Sequence, residues 1–270
     1  MSELDILAIG RAERYSPNSV EKDAAVLEGV CRLLTNEGLK VRIVSEEKEA
    51  WETEAKAYIS MGRLPRTLEH LQRQEREGKV VINKSDGVSL CCNRKMLNER
   101  LESIGIPLPP EDGTKGYWLK RAKGVAESSA DVQYVADKEE MLLRREQMRE
   151  QGIETIVQAH IDGDLVKFYG VVGEGFFRTY YPCDDGQWKF DDEKRNGKPC
   201  HYEFSMAELQ QMAEKAATAA GISIYGGDCI ITSEGQPVLI DLNDWPSFSR
   251  CREEAAMAIS RHIINCIEQC

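Results

Sequence analysis

The stretch that decides the fold runs from Gly226 to Phe248 and reads GGDCIITSEGQPVLIDLNDWPSF. Two apolar runs rich in β-branched residues flank its centre, residues 233–236, which is typical of a β-hairpin. If Glu234-Gly235 is a two-residue loop, the ladder places Asp228 opposite Asp241. The Cβ atoms of such a pair lie roughly 5 Å apart. The pattern therefore predicts two facing carboxylates.

The side-chain amide of Asn243 is predicted to lie beside these carboxylates. Asn243 lies two residues beyond Asp241, and side chains alternate along a strand, so Asn243 points to the same face. Like charges directly opposite each other destabilise a sheet, and a cation would relieve their repulsion. Oxygen ligands suit Mg²⁺, which completes its shell with waters and substrate phosphates. A solvent-facing hairpin without a metal is the alternative, and Pro237, which cannot donate to the ladder, leaves a shifted register open.

Two segments of this stretch, Gly226–Ile231 and Val238–Pro246, resemble the metal-binding end of the ATP-grasp superfamily. The similarity is greatest to the branches that hold ribosomal-protein glutamate ligases, glutathione synthetases and inositol trisphosphate kinases. The resemblance implies a protein of mixed α/β and α+β class, with an N-terminal parallel-sheet lobe and two lobes that sandwich the nucleotide. It also implies that Asp228, Asp241 and Asn243 hold Mg²⁺ against the phosphates of ATP.

The composition predicts one compact multi-lobed unit or two to three small domains. The chain has 270 residues, of which 41% are hydrophobic, so it can bury a sizeable core. A net charge of −11 argues against a nucleic-acid or anionic-membrane surface, which needs an excess of Lys and Arg. No apolar run approaches the about 20 residues of a membrane span. We expect a cytoplasmic protein with a small-molecule substrate, no nucleic-acid partner and no membrane contact, and a homodimer is left open.

The nine cysteines are scattered, and none forms a CxxC pair. This pattern does not indicate a zinc site. Reduced, structural thiols in a reducing compartment fit it better.

The first part of the chain predicts a parallel sheet. Residues 5–10 and 40–44 are apolar runs typical of buried strands, and residues 18–38 carry apolar side chains at helical spacing. This β–α–β order predicts parallel pairing. Further strands are predicted at 57–60 and 80–83, and further helices at 64–77 and 94–101.

The resemblance divides the chain into three parts. Residues 1–110 are the N-terminal α/β lobe, residues 111–158 the small ATP-grasp lobe, and residues 159–270 the C-terminal ATP-grasp lobe with the metal site. Within the last two lobes, strands are predicted at 116–121, 155–164, 165–173 and 175–181, and helices at 137–151, 206–220 and 252–269.

Four residues are implied as contacts to the phosphates of ATP. Lys95, near the start of the helix at 94–101, and Lys120, on the strand at 116–121, occupy places where the family carries lysines. Ser128 and Ser129 lie in a small-residue segment that would close over the phosphates. An ammonium together with backbone N–H groups and hydroxyls is what a polyphosphate requires. For Lys95, an ordinary surface lysine is the alternative.

The resemblance also implies a nucleoside site. Gln158, His160 and Ile161 lie on the interlobe strand whose backbone would meet adenine, with Gln158 where many family members carry a glutamate. Asp164 is the predicted acceptor for a ribose hydroxyl, but a carboxylate beside a glycine is as often an ordinary turn residue.

Two cations stand on otherwise apolar strands. Lys167 and Arg178 are costly there unless an anion or a carboxylate meets them. We predict that they are catalytic and face the γ-phosphate and an anionic acceptor. Structural salt bridges are the alternative.

Three functions follow from these predictions. The leading one is an Mg-ATP-dependent carboxylate–amine ligase that acts through an acyl phosphate. The second is a kinase of a polyol or an inositol phosphate, and the third is a non-catalytic nucleotide-binding protein. The chain lacks the GxxxxGK[ST] and GxGxxG patterns and any recognisable motif for a Ser-His-Asp triad.

Overall fold

The described part of the chain folds into three β-sheets with helices packed between and around them. The structure is a computed structural model that describes residues 4–16, 19–48, 52–124, 131–182, 184 and 195–269. Two of the sheets have four strands and one has three.

The N-terminal sheet is parallel, with strand order β2-β1-β3-β4. Its strands are β1 (Ile6–Gly10), β2 (Val41–Ser45), β3 (Ala57–Ser60) and β4 (Val80–Ile82), and the nearby helices are α1 (Val20–Asn36), α2 (Pro65–Arg76), α3 (Ser85–Cys91) and α4 (Arg94–Ser103). The predicted β–α–β unit is confirmed. Helix α3 was not predicted.

The smallest sheet is antiparallel, with strand order β6-β5-β7. Its strands are β5 (Tyr117–Arg121), β6 (Val132–Val135) and β7 (Thr155–Ala159), and helix α5 (Lys138–Glu150) covers one face. Tyr117, Leu119 and Val157 pack with Met141 and Met148 of α5 as a separate small core. Strand β6 was not predicted.

The C-terminal sheet is antiparallel, with strand order β11-β10-β8-β9. Its elements are β8 (Asp164–Val171), β9 (Phe176–Tyr180), helix α6 (Met206–Ala220), β10 (Ile224–Ile231), β11 (Pro237–Asp244) and helix α7 (Arg252–Glu268). The hairpin β8–β9 predicted at 165–181 is confirmed.

The parallel sheet and the C-terminal sheet share one hydrophobic core. Residues Ile6 and Ile59 of the parallel sheet belong to the same buried cluster as Val171 and Ile224 of the C-terminal sheet, together with Ile259 of α7. The chain's last helix therefore covers the chain's first sheet, beside α1. In the described ranges, no helix is long and apolar enough to cross a membrane.

The hairpin β10–β11 keeps the predicted pair but not the predicted turn. Asp228 stands opposite Asp241, which confirms the register at that point. Nearer the turn, Cys229 pairs with Leu239, so Ile240 is an extra residue in β11, a β-bulge. The turn itself has three residues rather than two, because the Thr232 N–H donates to the Gln236 carbonyl. The turn is one residue longer than predicted, and the bulge, which was not predicted, shifts the register by one residue. These two differences cancel, so Asp228 still faces Asp241.

Candidate active site

The hairpin brings three oxygen-bearing side chains together. Asp228 and Asp241 face each other across the ladder, and the Asn243 amide donates to Asp241 Oδ2 at 3.2 Å. Glycines on β10 make room for this arrangement. A Cβ on Gly227 would collide with the Asp241 carbonyl, and one on Gly226 would lie 2.7 Å from the Pro246 ring.

Nearby cations balance the two carboxylates. The Lys167 ammonium lies 3.1 and 3.3 Å from the two oxygens of Asp228. Burial alone would raise the pKa of Asp241, but the charges of Arg94 and Lys120 and the Asn243 hydrogen bond outweigh it and hold that pKa below its ordinary value. Asp241 is therefore an anion at neutral pH.

Lys120 connects the small sheet with the hairpin. Its side chain is buried, and its ammonium donates to the Ile240 carbonyl at 2.9 Å. Ile240 is the bulged residue, so the bulge supplies the carbonyl that this lysine contacts. Burial lowers the pKa of Lys120 to about 8, against the opposing attraction of Asp241. The lysine predicted for the phosphates thus lies one residue from a predicted metal ligand.

Arg94, and not Lys95, is the residue of α4 that reaches the hairpin. Arg94 Nε lies 3.9 Å from Asp241 Oδ1, and its Nη1 donates to the Arg121 carbonyl at 3.1 Å. Lys95 points elsewhere and pairs with Glu154 at 3.2 Å, with half of its side chain exposed. Successive residues of a helix point about 100° apart, so a one-residue difference changes the face. The available signal was Asn93, whose side chain caps α4 and fixes the phase of the helix.

The strand predicted at 155–164 ends at Ala159, so of the predicted adenine residues only Gln158 lies on β7, on the face that Lys120 shares, and His160 and Ile161 follow the strand. Gln158 is buried and pairs in register with Trp118, two residues before Lys120 on β5. The indole N–H of Trp118 donates to His160 Nδ1 at 3.1 Å, and burial lowers the pKa of His160. The carbonyl of Ile161 accepts from the Asn196 amide at 3.0 Å. Their contact with adenine stays a prediction.

Asp164 has protein partners for both carboxylate oxygens. They accept the backbone N–H groups of Cys200 and Tyr202 at 2.6 and 2.8 Å, and the side chain is buried. These bonds hold residues 200–202 against the start of β8. The structure thus gives Asp164 a structural task, and its ribose contact stays a prediction.

Lys167 and Arg178 have different partners. Arg178 pairs with Glu254 of α7, with Nε at 3.0 Å, and its Nη1 donates to the Phe177 carbonyl. The residue that stands opposite Lys167 on β9 is Tyr180. Sequence reasoning could not foresee Glu254 as the partner, because α7 lies far along the chain. The geometry supports the salt-bridge alternative for Arg178.

Ser128 and Ser129 lie outside the described residues. The segment leading toward them is anchored to the start of α4, because Gly124 N–H donates to the Cys92 carbonyl at 2.9 Å. Arg94 N–H donates to the Ala122 carbonyl at 2.8 Å on the same side.

The donor set fits a magnesium ion that is shared with a phosphate substrate. Within the ranges that the structure describes, no group of three or more His, Cys, Asp or Glu side chains could hold a metal. Two carboxylates and one amide are present instead. Mg²⁺ is usually bound by one or two carboxylates and completes its octahedron with waters and substrate phosphates.

Comparison with solved structures shows that the chain has an ATP-grasp fold. The structure is similar to D-alanyl-alanine synthetase A from Vibrio cholerae, with a TM-score of 0.69 and 12% identity over 100% of this chain and 98% of the other. It is similar to the Bacillus anthracis D-alanine–D-alanine ligase complexed with ATP, with a TM-score of 0.66 and 10% identity over 100% and 99%. It is also similar to a RimK domain ATP-grasp protein from Sphaerobacter thermophilus, with a TM-score of 0.65 and 18% identity over 96% and 99%. No family model and no curated protein sequence matches the chain.

Proposed function

We propose that the chain is an Mg-ATP-dependent carboxylate–amine ligase with small-molecule substrates. The observation that carries the proposal is the contact of Lys120 with the Ile240 carbonyl, beside Asp241. This contact brings Lys120 of the small sheet, a cation suited to binding phosphates, close to Asp241 of the C-terminal sheet, a carboxylate suited to binding Mg²⁺. Nucleotide phosphates would lie between residues 111–158 and 159–270.

Each polar group has a distinct task in this proposal. Asp228, Asp241 and Asn243 would hold Mg²⁺, which when bound would neutralise charge on the phosphates. Lys120 and Arg94 would bind the phosphates. Lys167 would stand at the γ-phosphate, where its ammonium stabilises negative charge as the phosphoryl group is transferred.

The proposed reaction has two steps. An oxygen of the acid substrate attacks the γ-phosphorus, and the bond from that phosphorus to the β–γ bridging oxygen breaks, which releases ADP. The amine then attacks the acyl carbon, the phosphate leaves with the bonding electron pair, and the amine nitrogen loses a proton. Phosphoryl transfer needs mainly positioning and charge neutralisation, which the cations described above can supply.

The similar structures support the proposal. They include an alanyl-alanine synthetase and a D-alanine–D-alanine ligase with ATP, which favours ligation over other chemistry.

Labelled ATP tests the reaction class. The enzyme is incubated with Mg²⁺, ATP labelled at the γ-phosphate, and pools of small acids and amines. We expect label in inorganic phosphate only when an acid and an amine are both present, and a hydroxamate when hydroxylamine replaces the amine. Label on a stable, hydroxylamine-resistant product would replace the ligase with the kinase. ATP binding with no turnover in any pool would favour the non-catalytic protein.

A further inference from the structure

Two arginines of the N-terminal lobe donate hydrogen bonds to the C-terminal end of β11 and to the residue after it. Arg63, which follows β3, donates to the two oxygens of Asp244 from Nη2 at 2.5 Å and from Nε at 3.3 Å. Arg11, which follows β1, donates from Nη2 to the Trp245 carbonyl at 2.9 Å. The side chains are 9% exposed for Arg63, 6% for Arg11 and 1% for Asp244. These bonds are therefore shielded from water.

The other strand of the hairpin is held at the same end. Asn83, which follows β4, accepts the N–H groups of Ser223 and Ile224 at 2.9 Å each, and its amide donates to the Ile224 carbonyl at 2.8 Å. Asn83 is 1% exposed. We call Arg11, Arg63, Asn83 and Asp244 the base clamp.

The two arginines of the base clamp are themselves fixed within the N-terminal lobe. The Arg11 guanidinium donates to Asp23 at 3.1 Å and to the Met61 carbonyl at 3.0 Å. The backbone N–H of Arg63 donates to the Glu46 carboxylate at 2.8 Å. An arginine held on several sides loses little freedom when it binds a carboxylate through two nitrogens. The clamp is thus a rigid support and not a flexible surface ion pair.

The backbone at the clamp is strained. Trp245, which follows Asp244 and is fully buried, has a φ of 35°. This left-handed conformation is unfavourable for a bulky side chain and persists only where the surroundings impose it. Arg11 binds the carbonyl of this same residue, so the clamp supplies one of the constraints.

The pairing of the two strands is continuous from the clamp to the carboxylates. Tyr225 pairs with Asp244, and each following pair keeps the same register up to Asp228 and Asp241. The register then shifts at the bulge, between the carboxylates and the turn. A change in the turn can therefore be absorbed at the bulge, whereas a change at the clamp moves the carboxylates directly.

We propose that the base clamp, and not the turn, sets the register of the metal-binding pair, and that Asp244 and Arg63 are positioning residues for Mg²⁺. The proposal rests on the proposed metal site. Asp244 acts through the backbone, because Asn243 is its immediate neighbour on β11.

Manganese binding tests the proposal without an activity assay. Free Mn²⁺ is measured by electron paramagnetic resonance while Mn²⁺ is titrated into protein saturated with a non-hydrolysable ATP analogue. Asp244→Asn removes the charge that Arg63 binds, and Arg63→Lys keeps the charge but loses the two-nitrogen contact. We expect each to raise the Kd for Mn²⁺ on the order of tenfold or more, as for other residues that orient metal ligands.

Two controls separate positioning from general stability. Ile259→Val removes a methyl group from the shared core, which lowers the melting temperature without touching the clamp, and should leave the Kd unchanged. One glycine inserted after Gly235 lengthens the turn and should also leave the Kd unchanged.

The possible results are distinct. Mn²⁺ binding that survives in Asp241→Asn contradicts the proposed metal site itself. If Asp241→Asn loses Mn²⁺ but Arg63→Lys, folded by circular dichroism, binds it as the wild type does, the metal site stands and the clamp proposal is overturned. An insertion in the turn that weakens binding as much as Asp244→Asn would also overturn it.

Discussion

The two sheets that meet at Lys120 are attached to the molecule in different ways. The sheet that carries Asp228 and Asp241 shares a hydrophobic core with the N-terminal lobe and is clamped at its base by buried side chains. The small sheet that carries Lys120 has its own core. Its connections include backbone bonds such as Ala159 N–H to the Pro110 carbonyl and Arg94 N–H to the Ala122 carbonyl.

This difference suits the hairpin to a rigid role and the small sheet to a mobile one. A metal site needs ligands held closely in place, which a shared core and buried bonds provide. A nucleotide must enter and leave, and a lobe with a separate core can open without exposing the rest of the protein. We infer that the carboxylates are preformed and that the small sheet moves.

The largest effect is expected at the rigid side. Asp241→Asn and Asp228→Asn each remove one anionic ligand and keep the shape of the side chain. Turnover of ATP with acid and amine pools should fall about a thousandfold, because a metal supplies several kcal/mol of charge stabilisation. The matched control is Glu234→Gln in the exposed turn of the same hairpin, which should turn over normally. Normal turnover in both aspartate variants would rule out the metal site.

A smaller effect is expected where the two sheets meet. Arg94→Ala removes a cation near Asp241, and we expect ATP affinity to fall about ten- to a hundredfold, since hydrogen bonds to charged groups contribute about 1.5–3 kcal/mol. Lys95→Ala is the matched control, one residue away in the same helix. Its exposed pair with Glu154 contributes about 0–1 kcal/mol, so affinity should change less than about fivefold. Calorimetry with ATP decides between the two, and the reverse order would restore Lys95 as the phosphate contact.

The choice between these neighbours illustrates what the sequence could predict. Apolar periodicity predicted α1 and α7, alanine content predicted α6, and the flanks of the hairpin predicted the facing pair of carboxylates. The strand β6 has only four residues, and α3 contains Gly87, so neither carries a strong periodic signal. The phase of α4 depends on its cap, and it turns Arg94 rather than Lys95 toward the hairpin; the phosphate contact of Lys95 stays a prediction.

Partners distant in the chain were beyond sequence reasoning. Arg178 meets Glu254 and Asp244 meets Arg63 only because α7 and β3 pack beside the C-terminal sheet. A strand pattern shows that a cation or carboxylate needs a partner, but not which one. The bulge at Ile240 was equally hidden, because it depends on the length of the turn and on the fixed base together.

Binding of ATP should depend on pH through Lys120. Burial lowers the pKa of this lysine from 10.5 to about 8, so the free protein loses the ammonium as the pH rises through 8. Phosphates favour the charged form, and ATP binding at pH 9 should therefore take up a proton and weaken as the pH rises. Calorimetry at pH 9 in buffers of different ionisation enthalpy measures this uptake. Lys120→Met should lack it, and equal uptake in that variant would assign the proton to another group.

The same pKa predicts that stability changes with pH. Between pH 8 and 10.5 the unfolded chain holds the Lys120 proton and the folded chain does not, so this residue's contribution to the free energy of unfolding rises with pH in that window. Denaturant unfolding of the wild type and Lys120→Met at pH 7.5 and 9.5 measures the difference. A stability gap between them that does not change with pH would contradict the lowered pKa.

The smallest effect is expected for Arg178, on the edge strand β9 of the C-terminal sheet. Arg178→Ala breaks a half-exposed ion pair with Glu254, which contributes about 0–1 kcal/mol to stability. Turnover and the KM of the acid substrate should stay within about twofold of the wild type if Arg178 serves only its ion pair with Glu254. A large rise in that KM would return Arg178 to the acceptor site.

Hydrogen exchange with and without an Mg²⁺-bound ATP analogue tests the central claim most directly, because it reports on both sheets at once. We predict that without ligand the amides of β5 and β7 exchange faster than those of β10 and β11 near the base clamp. Ligand should slow exchange in residues 117–121 and 155–161, and leave the base of the hairpin nearly unchanged. Equal protection of both sheets without ligand, or slowing that spares the small sheet when the analogue is bound, would contradict the account.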